Sequence, residues 1–198
     1  MSLTRYRALG RSGLIVSPLC LGTMTFGPGA WGVDEAGSRA IFDAYRATGG
    51  NFVDTADIYG GGSSEEFVGK FIRDTKSRDE IVLATKFGFN GSRSPLAAGH
   101  DRAGNPHAGG AGSKNIHRAL DASLTRLGVD VIDLYWMHVW DGVTPVEEIV
   151  QTLSNLVQAA AQSASGNPSQ RADRHQSNRR PEAADMHPAA ARLRKGRG

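Results

Sequence analysis

The chain has 198 residues, of which 39% are hydrophobic, and its single cysteine excludes a scaffold built on disulfides. No apolar run approaches the length of about 18 residues that a membrane-spanning helix needs. The N-terminal residues show no apolar signal-peptide region. We therefore expect a soluble, cytoplasmic protein.

The net charge of +3 is unevenly distributed along the chain. Residues 1–157 carry 15 Lys and Arg against 17 Asp and Glu, whereas residues 158–198 carry 8 against 3. The last 41 residues contain no aromatic residue, no Val and no Ile, which is too little apolar surface for a core. We predict a folded region over 1–157 and a disordered, basic, Ala/Arg-rich tail over 158–198.

The first region begins with a predicted hairpin and continues with alternating strand and helix patterns. Tyr6 to Ile15 is typical of a short hairpin around the turn at 10–13. Four apolar runs then predict buried strands: Leu19–Leu21, Asn51–Asp54, Ile81–Thr85 and Val131–Met137.

A helix pattern follows each of these four strands. Asp34 is predicted to cap the first helix, and Ser63 with Glu66 forms a capping-box pattern for the second. The third has apolar residues at helical spacing from Ile116 to Leu127, and the Thr-Pro pair at 144–145 opens the fourth.

Four strand–helix units in alternation indicate a parallel α/β architecture. They fit either an open doubly wound sheet or half of an eight-stranded barrel. No Gly-x-Gly-x-x-Gly follows the first strand, which weakens the dinucleotide-binding version of the open sheet. The glycine-rich stretch at 87–112 is long enough to be a functional lid or a disordered insertion.

Four polar residues lie where predicted strands end: Asp54, Tyr59, Lys86 and His138. Taken singly, each has an ordinary structural explanation, such as a cap, a packing ring, a solvent contact or a hydrogen-bonded core histidine. In a barrel, however, the carboxyl ends of the strands converge on one mouth. We therefore treat the four as one candidate site.

Together these side chains suit the protonation of a carbonyl oxygen while hydride reaches its carbon. A tyrosine phenol ordinarily has a pKa of about 10, and a nearby ammonium group lowers it by stabilising the phenolate. A carboxylate can hold the lysine in place, and a histidine can donate to the same substrate oxygen. The six histidines and Cys20 show no ligand spacing, so we expect no metal site.

Four segments of this region resemble the aldo-keto reductase family. They are Gly22-Thr23-Met24-Thr25-Phe26-Gly27, Asn51-Phe52-Val53-Asp54-Thr55-Ala56-Asp57-Ile58-Tyr59-Gly60, Ala84-Thr85-Lys86 and Asp133-Leu134-Tyr135-Trp136-Met137-His138. The likeness extends from about residue 5 to residue 157. It implies the first four units of a (β/α)8 TIM barrel that binds NADP(H) and reduces an aldehyde or ketone.

The resemblance also implies roles for individual residues. Tyr59 would donate the proton, and Lys86 and Asp54 would tune the acidity of Tyr59. His138 would orient the carbonyl of a small substrate. Gly22, Thr23, Met24 and Asp54 would contact the cofactor. Trp31 matches no family motif and is equally consistent with the substrate pocket or with packing.

The resemblance ends after Val157, where a turn and a fifth strand would follow in the family. We interpret 158–198 as the product of a truncation or a frameshift, and we expect little or no reductase turnover from this chain alone. The alternative is an inactive barrel fragment that self-associates through open strand edges. We expect no nucleic acid as a partner, because the basic tail lacks interleaved aromatic residues for base stacking. We expect no membrane as a partner, because no apolar run is long enough to span one.

Overall fold

A computed structural model describes residues 2–89, 109–164 and 193–194. The helices are α1 (Glu35–Ala47), α2 (Ser63–Thr75), α3 (Ser113–Leu127) and α4 (Val146–Ala164). The strands are β1 (Arg7–Ala8), β2 (Ile15–Val16), β3 (Leu21–Gly22), β4 (Phe52–Asp54), β5 (Val82–Phe87), β6 (Val131–Ile132), β7 (Leu134–Met137) and β8 (Leu193–Arg194). Short 3₁₀ turns cover Tyr59–Gly62 and Arg78–Glu80.

The central sheet is parallel, and its strand order β3-β4-β5-β7 follows the order of the chain. In a doubly wound sheet the order of the strands reverses at a switch point, whereas in a barrel each new strand lies next to the preceding one. The sequential order therefore favours the barrel over the open sheet, and the fold is the first part of a (β/α)8 barrel. The predicted N-terminal hairpin is confirmed by the antiparallel pairing of β1 with β2.

The core lies between this sheet and the helices that cover it. Phe42 of α1, Phe71 of α2 and Leu124 of α3 are almost fully buried there. Gly69 of α2 allows α2 and α3 to approach closely, since a Cβ at this position would lie 2.1 Å from the Leu127 carbonyl oxygen. The two helices thus pack backbone to backbone beneath the sheet.

The helix ends agree with the sequence prediction at one position and differ at another. Asp34 caps α1, and its carboxylate accepts a hydrogen bond of 2.9 Å from the Gly37 amide, as predicted. The capping box predicted for α2 is wrong, because Gly62 occupies the cap position in a left-handed conformation. The Ser63 hydroxyl instead donates to the Gly60 carbonyl at 3.0 Å.

Two of the predicted strands differ in detail. The first ordered strand is Leu21–Gly22, and Leu19, which we expected to be buried, is 54% exposed. The fourth strand is divided at Asp133 into β6 and β7. The Asp133 carboxylate accepts from the Leu83 amide at 2.9 Å and pairs with Arg78, so this side chain ties the strand to its neighbours at the break.

The predicted tail contains two ordered stretches. Helix α4 continues seven residues beyond Val157, to Ala164. Leu193–Arg194 forms β8, which pairs antiparallel with β6, so the predicted disorder of the tail is wrong at these two residues. The disorder predicted for 165–192 and 195–198 lies outside the described residues, as do residues 90–108 of the proposed lid or insertion. None of the helices within the described ranges is long and apolar enough to cross a membrane.

Candidate active site

Neighbouring strands deliver the four candidate side chains to one end of the sheet. Asp54 is the last residue of β4, Lys86 is the second-to-last residue of β5, and His138 follows β7 directly. Tyr59 begins the 3₁₀ turn after β4. Because the strands are parallel, their carboxyl ends share one edge, and all four residues meet there.

Lys86 is the centre of this group. Its ammonium pairs with the Asp54 carboxylate and donates to the Thr55 carbonyl at 2.7 Å and to the Tyr59 hydroxyl at 3.3 Å. It also lies 4.8 Å from the centre of the Tyr59 ring. The side chains of Lys86 and Asp54 are only 15% and 23% exposed, so the charge acts on the phenol in partial shelter from water.

His138 completes the group through a ring contact with Tyr59. Its ring meets the Tyr59 ring edge-on, with the centres 5.6 Å apart, and its backbone amide donates to the Phe87 carbonyl at 2.8 Å. Burial first, and the Lys86 charge second, lower the pKa of His138 below 6.5, against an opposing effect of Asp54. The imidazole is therefore neutral at pH 7 and can offer one N–H to a bound oxygen.

Two features of the His138 environment were missed by the sequence analysis. The Phe89 ring packs against the imidazole with the centres 5.1 Å apart. The Nδ1 atom of His138 is buried, and no residue within the described ranges bonds to it. The position of Phe89, an aromatic residue just past the end of β5, is the signal that could have suggested the ring contact.

Thr23 serves as an anchor between loops. It is fully buried, and its hydroxyl shares a hydrogen bond of 2.8 Å with Ser64 and donates to the Asp54 carbonyl at 3.1 Å. The Ser64 hydroxyl in turn contacts the Thr55 hydroxyl at 2.9 Å. This network fixes the loop after β3 against the loop after β4; the predicted contact of Thr23 with a cofactor stays a prediction.

The remaining predicted residues lie at the same end of the sheet but on the surface. Gly22 pairs in register with Asp54, and a Cβ at Gly22 would meet nothing within 4 Å. Met24 and Trp31, on the loop that leaves β3, are 67% and 86% exposed. The structure thus leaves open space beside Asp54, and the binding roles of these three residues stay predictions.

A buried charge cluster that the sequence analysis did not identify lies next to the site. The Glu65 carboxylate has no exposed surface and accepts from the Thr85 hydroxyl and from Arg126 Nε, each at 2.6 Å. Asp57 lies in the β4–α2 loop, where burial and the charge of Glu65 raise its pKa to about 7. The apolar residues around Glu65 in α2 hint at its burial, but nothing in the sequence signals its partner.

The arrangement can hold a carbonyl oxygen between the Tyr59 hydroxyl and the His138 imidazole and can supply a proton to it. Across the described ranges, no group of three or more His, Cys, Asp and Glu residues could hold a metal ion.

Comparison with known proteins identifies the family to which the chain is similar. A model of the aldo/keto reductase family matches residues 18–174. The chain is 41% identical over 158 residues to norsolorinic acid reductase from Aspergillus flavus, an alignment that covers 77% of this chain and 39% of that protein. It is 35% identical to aryl-alcohol dehydrogenase [NADP(+)] from Phanerodontia chrysosporium, covering 78% of this chain and 41% of that protein.

A solved structure shows the same fold. The holo form of an aldo-keto reductase from Bacillus halodurans matches with a TM-score of 0.64 at 34% identity, covering 78% of this chain and 46% of that one. The chain thus spans about two fifths of the curated relatives named above and slightly under half of the structural one. The match confirms the predicted barrel architecture.

Proposed function

The chain belongs to the aldo/keto reductase family, a family of oxidoreductases, and from that premise we propose that it reduces an aldehyde or ketone with hydride from NADPH. The observation that carries the proposal is the Lys86 ammonium 3.3 Å from the Tyr59 hydroxyl, with the centre of the His138 ring 5.6 Å from that of the Tyr59 ring. The chain spans only about two fifths of the length of the curated relatives named above. The activity of a protein of their full length is therefore also a proposal.

The residues present fit the reactive end of a nicotinamide cofactor. Gly22, which pairs in register with Asp54, borders open space, Met24 is exposed on the loop that follows, and the buried Nδ1 of His138 has a free hydrogen-bonding position among the described residues. The cofactor supplies the hydride when it is bound. Gly22, Thr23, Met24 and Asp54 are the residues proposed to hold it.

Tyr59 is the proposed proton donor. Its hydroxyl gives a proton to the carbonyl oxygen as hydride adds to the carbonyl carbon, so the two together yield the alcohol. The Lys86 ammonium then stabilises the phenolate that remains, and the Asp54 carboxylate and the Thr55 carbonyl hold Lys86 in position for this. His138 donates to the same carbonyl oxygen and thereby orients the substrate.

An aromatic carbonyl compound is the proposed substrate class. The relatives include an aryl-alcohol dehydrogenase, which is named for an aryl substrate. In this chain, Phe89 packs against His138 and is 42% exposed, and Trp31 projects from the loop after β3. The Phe89 ring offers flat apolar surface beside the point where a carbonyl would be held, and Trp31 is proposed to add to it.

We expect slow turnover from these 198 residues. In the described part of the chain, the central sheet leaves one edge of β3 and one edge of β7 unpaired, and such edges weaken the frame that holds Tyr59 and His138 in place.

The proposed location is the cytoplasm, where one unpaired cysteine is ordinary.

The test follows NADPH absorbance with 4-nitrobenzaldehyde at high protein concentration, together with quenching of tryptophan fluorescence by NADPH. We expect NADPH to bind and turnover to stay below about 1 s⁻¹. Tyr59→Phe should abolish that turnover and keep the quenching, whereas the exposed control Glu66→Gln should change neither. Turnover that survives Tyr59→Phe, or no quenching by NADPH at all, contradicts the proposed function.

The second candidate function is an inactive fragment that self-associates. It is favoured by the open edges of the sheet and by the exposure of Trp140 and Met137 near β7, at 53% and 37%. Light scattering over a range of concentrations distinguishes the two candidates. Oligomers that grow with concentration and do not bind NADPH support the fragment, and NADPH binding by the monomer supports the reductase.

A further inference from the structure

Asp57 lies in the short loop that connects two of the candidate residues, Asp54 and Tyr59. Its backbone amide donates to the Lys86 carbonyl at 3.1 Å, while Asp54 and Thr55 hold the ammonium at the other end of the same lysine. The loop therefore forms hydrogen bonds with both the backbone and the side chain of Lys86. A displacement at Asp57 changes the position of Tyr59 relative to that ammonium.

The carboxyl group of Asp57 is incompletely satisfied. Its Oδ1 atom is buried and has no hydrogen-bond partner among the described residues. Glu65 of α2, Arg118 and Arg126 of α3 and Tyr135 of β7 face it. Arg126 donates to Glu65, and Arg118 donates to Asn115 at 2.8 Å, so both guanidinium groups are engaged elsewhere.

A buried carboxylate without a full set of partners favours its protonated form. Burial is the first cause and the neighbouring Glu65 the second, and they raise the pKa of Asp57 to about 7. The two arginines and the Ile58 amide oppose this rise without cancelling it. The side chain therefore exists in both forms around neutral pH.

We infer that Asp57 is a positioning residue: its neutral side chain holds residues 56–59 in the arrangement described, and its ionised side chain shifts them and moves the Tyr59 phenol away from Lys86. An ionised Oδ1 needs a partner, which it gains by turning towards solvent or towards Arg118. The Tyr59 amide is bonded to the Ala56 carbonyl at 3.2 Å, so this movement is transmitted along the loop.

The catalytic consequence rests on the proposed function. Turnover of 4-nitrobenzaldehyde falls as the pH rises through about 7, and the KM for the aldehyde stays within about twofold. Asp57→Asn imitates the neutral side chain and removes this fall. At pH 8, one unit above the midpoint, about a tenth of Asp57 is protonated, so the variant turns over about tenfold faster than the unmodified chain.

NMR spectroscopy tests the inference without turnover. The carboxyl ¹³C shift of Asp57 and the amide shifts of Ile58 and Tyr59 are followed from pH 5.5 to 8.5 in the 198-residue chain. We expect all three to change with one midpoint near 7. In Asp57→Asn the loop amides lose that midpoint, and in the matched control Glu66→Gln, an exposed residue of α2, they keep it.

Two results overturn the inference: an Asp57 midpoint below about 5, or loop amides that show the same midpoint after Asp57→Asn. If the variant does not fold, the titration of the unmodified chain decides the matter, because loop amides that do not follow Asp57 contradict the inference. If NADPH is neither bound nor oxidised, the proposed function fails, and the NMR titration still decides whether Asp57 moves the loop.

Discussion

Arg126 of α3 reaches across to Glu65 of α2, with its Nε atom 2.6 Å from a carboxylate that has no exposed surface. Thr85 of β5 donates to the other oxygen of the same carboxylate. Two helices and a strand are thereby joined through one buried negative charge. Ionic contacts of this kind cost most when only one partner is removed.

Arg126→Met should therefore lower the free energy of unfolding by about 3–5 kcal/mol, because it leaves the Glu65 charge buried and without its cation. Urea unfolding measures this loss. The control is Lys70→Met, which removes a pair with Glu35 in which both side chains are about half exposed and should change stability by less than about 1 kcal/mol. Equal losses in the two variants would show that Glu65 does not depend on Arg126.

Lys86→Met should raise the pKa of His138. The Lys86 charge lowers that pKa and Asp54 raises it, so removing the cation acts in one direction only. Titration of the imidazole by NMR measures the change, with Lys70→Met as a distant control that leaves His138 unchanged. A His138 pKa that stays constant or falls in Lys86→Met contradicts the electrostatic description of the site.

Asp57→Asn should change how stability depends on pH. The folded chain holds the Asp57 proton up to about pH 7, whereas an unfolded aspartic acid releases it near pH 3.9. Between those values the folded state binds more protons, so the free energy of unfolding falls as the pH rises and is level above about 7. The fall attributable to Asp57 amounts to at most about 4 kcal/mol.

Urea unfolding at pH 5, 6, 7 and 8 measures that dependence. The difference in stability between Asp57→Asn and the unmodified chain should shift in favour of the variant as the pH rises to 7. Glu66→Gln should run parallel to the unmodified chain. Parallel curves for all three proteins would contradict the raised pKa of Asp57.

Gly69→Ala should destabilise the chain by about 3 kcal/mol, because the added methyl group would lie 2.1 Å from the Leu127 carbonyl oxygen and would force α2 and α3 apart. Thermal or urea unfolding measures the loss. Gly13→Ala is the control, since a Cβ at that position meets nothing within 4 Å. If Gly69→Ala lost no more stability than Gly13→Ala, α2 and α3 would accommodate the added methyl group without cost, which contradicts the prediction.

Much of the fold could be predicted from the spacing of apolar residues, because one apolar face is enough to identify a helix. The spacing from Ile116 to Leu127 predicts α3 correctly, with Gly128 ending it in the left-handed conformation. The spacing does not reveal the break at Asp133, because that depends on Arg78 and the Leu83 amide, which come from other elements. The pairing of Leu193–Arg194 with β6 is equally a matter of distant partners.

The candidate site shows the same limit. Asp54, Lys86 and His138 could be placed at strand ends from the sequence, and parallel topology then brings them together. Asp57 and Glu65 could not be assigned in this way. Their environments arise from helices and strands that the local sequence does not specify, and a charged residue such as Glu65 inside α2 gives no sign of which cation it faces.

The four residues of the candidate site and the buried Glu65–Arg126 pair are encoded between residues 54 and 138, in consecutive strand–helix units whose strands are also neighbours in the sheet. During synthesis, a chain that has emerged as far as His138 already contains all of them. The contacts join residues that are 32 positions apart for Lys86 and Asp54 and 61 positions apart for Arg126 and Glu65. Because the entropic cost of closing a loop grows only slowly with its length, the group can assemble while the ribosome is still adding residues. Asp54, Lys86 and His138 can therefore join the site in the order in which they are synthesised.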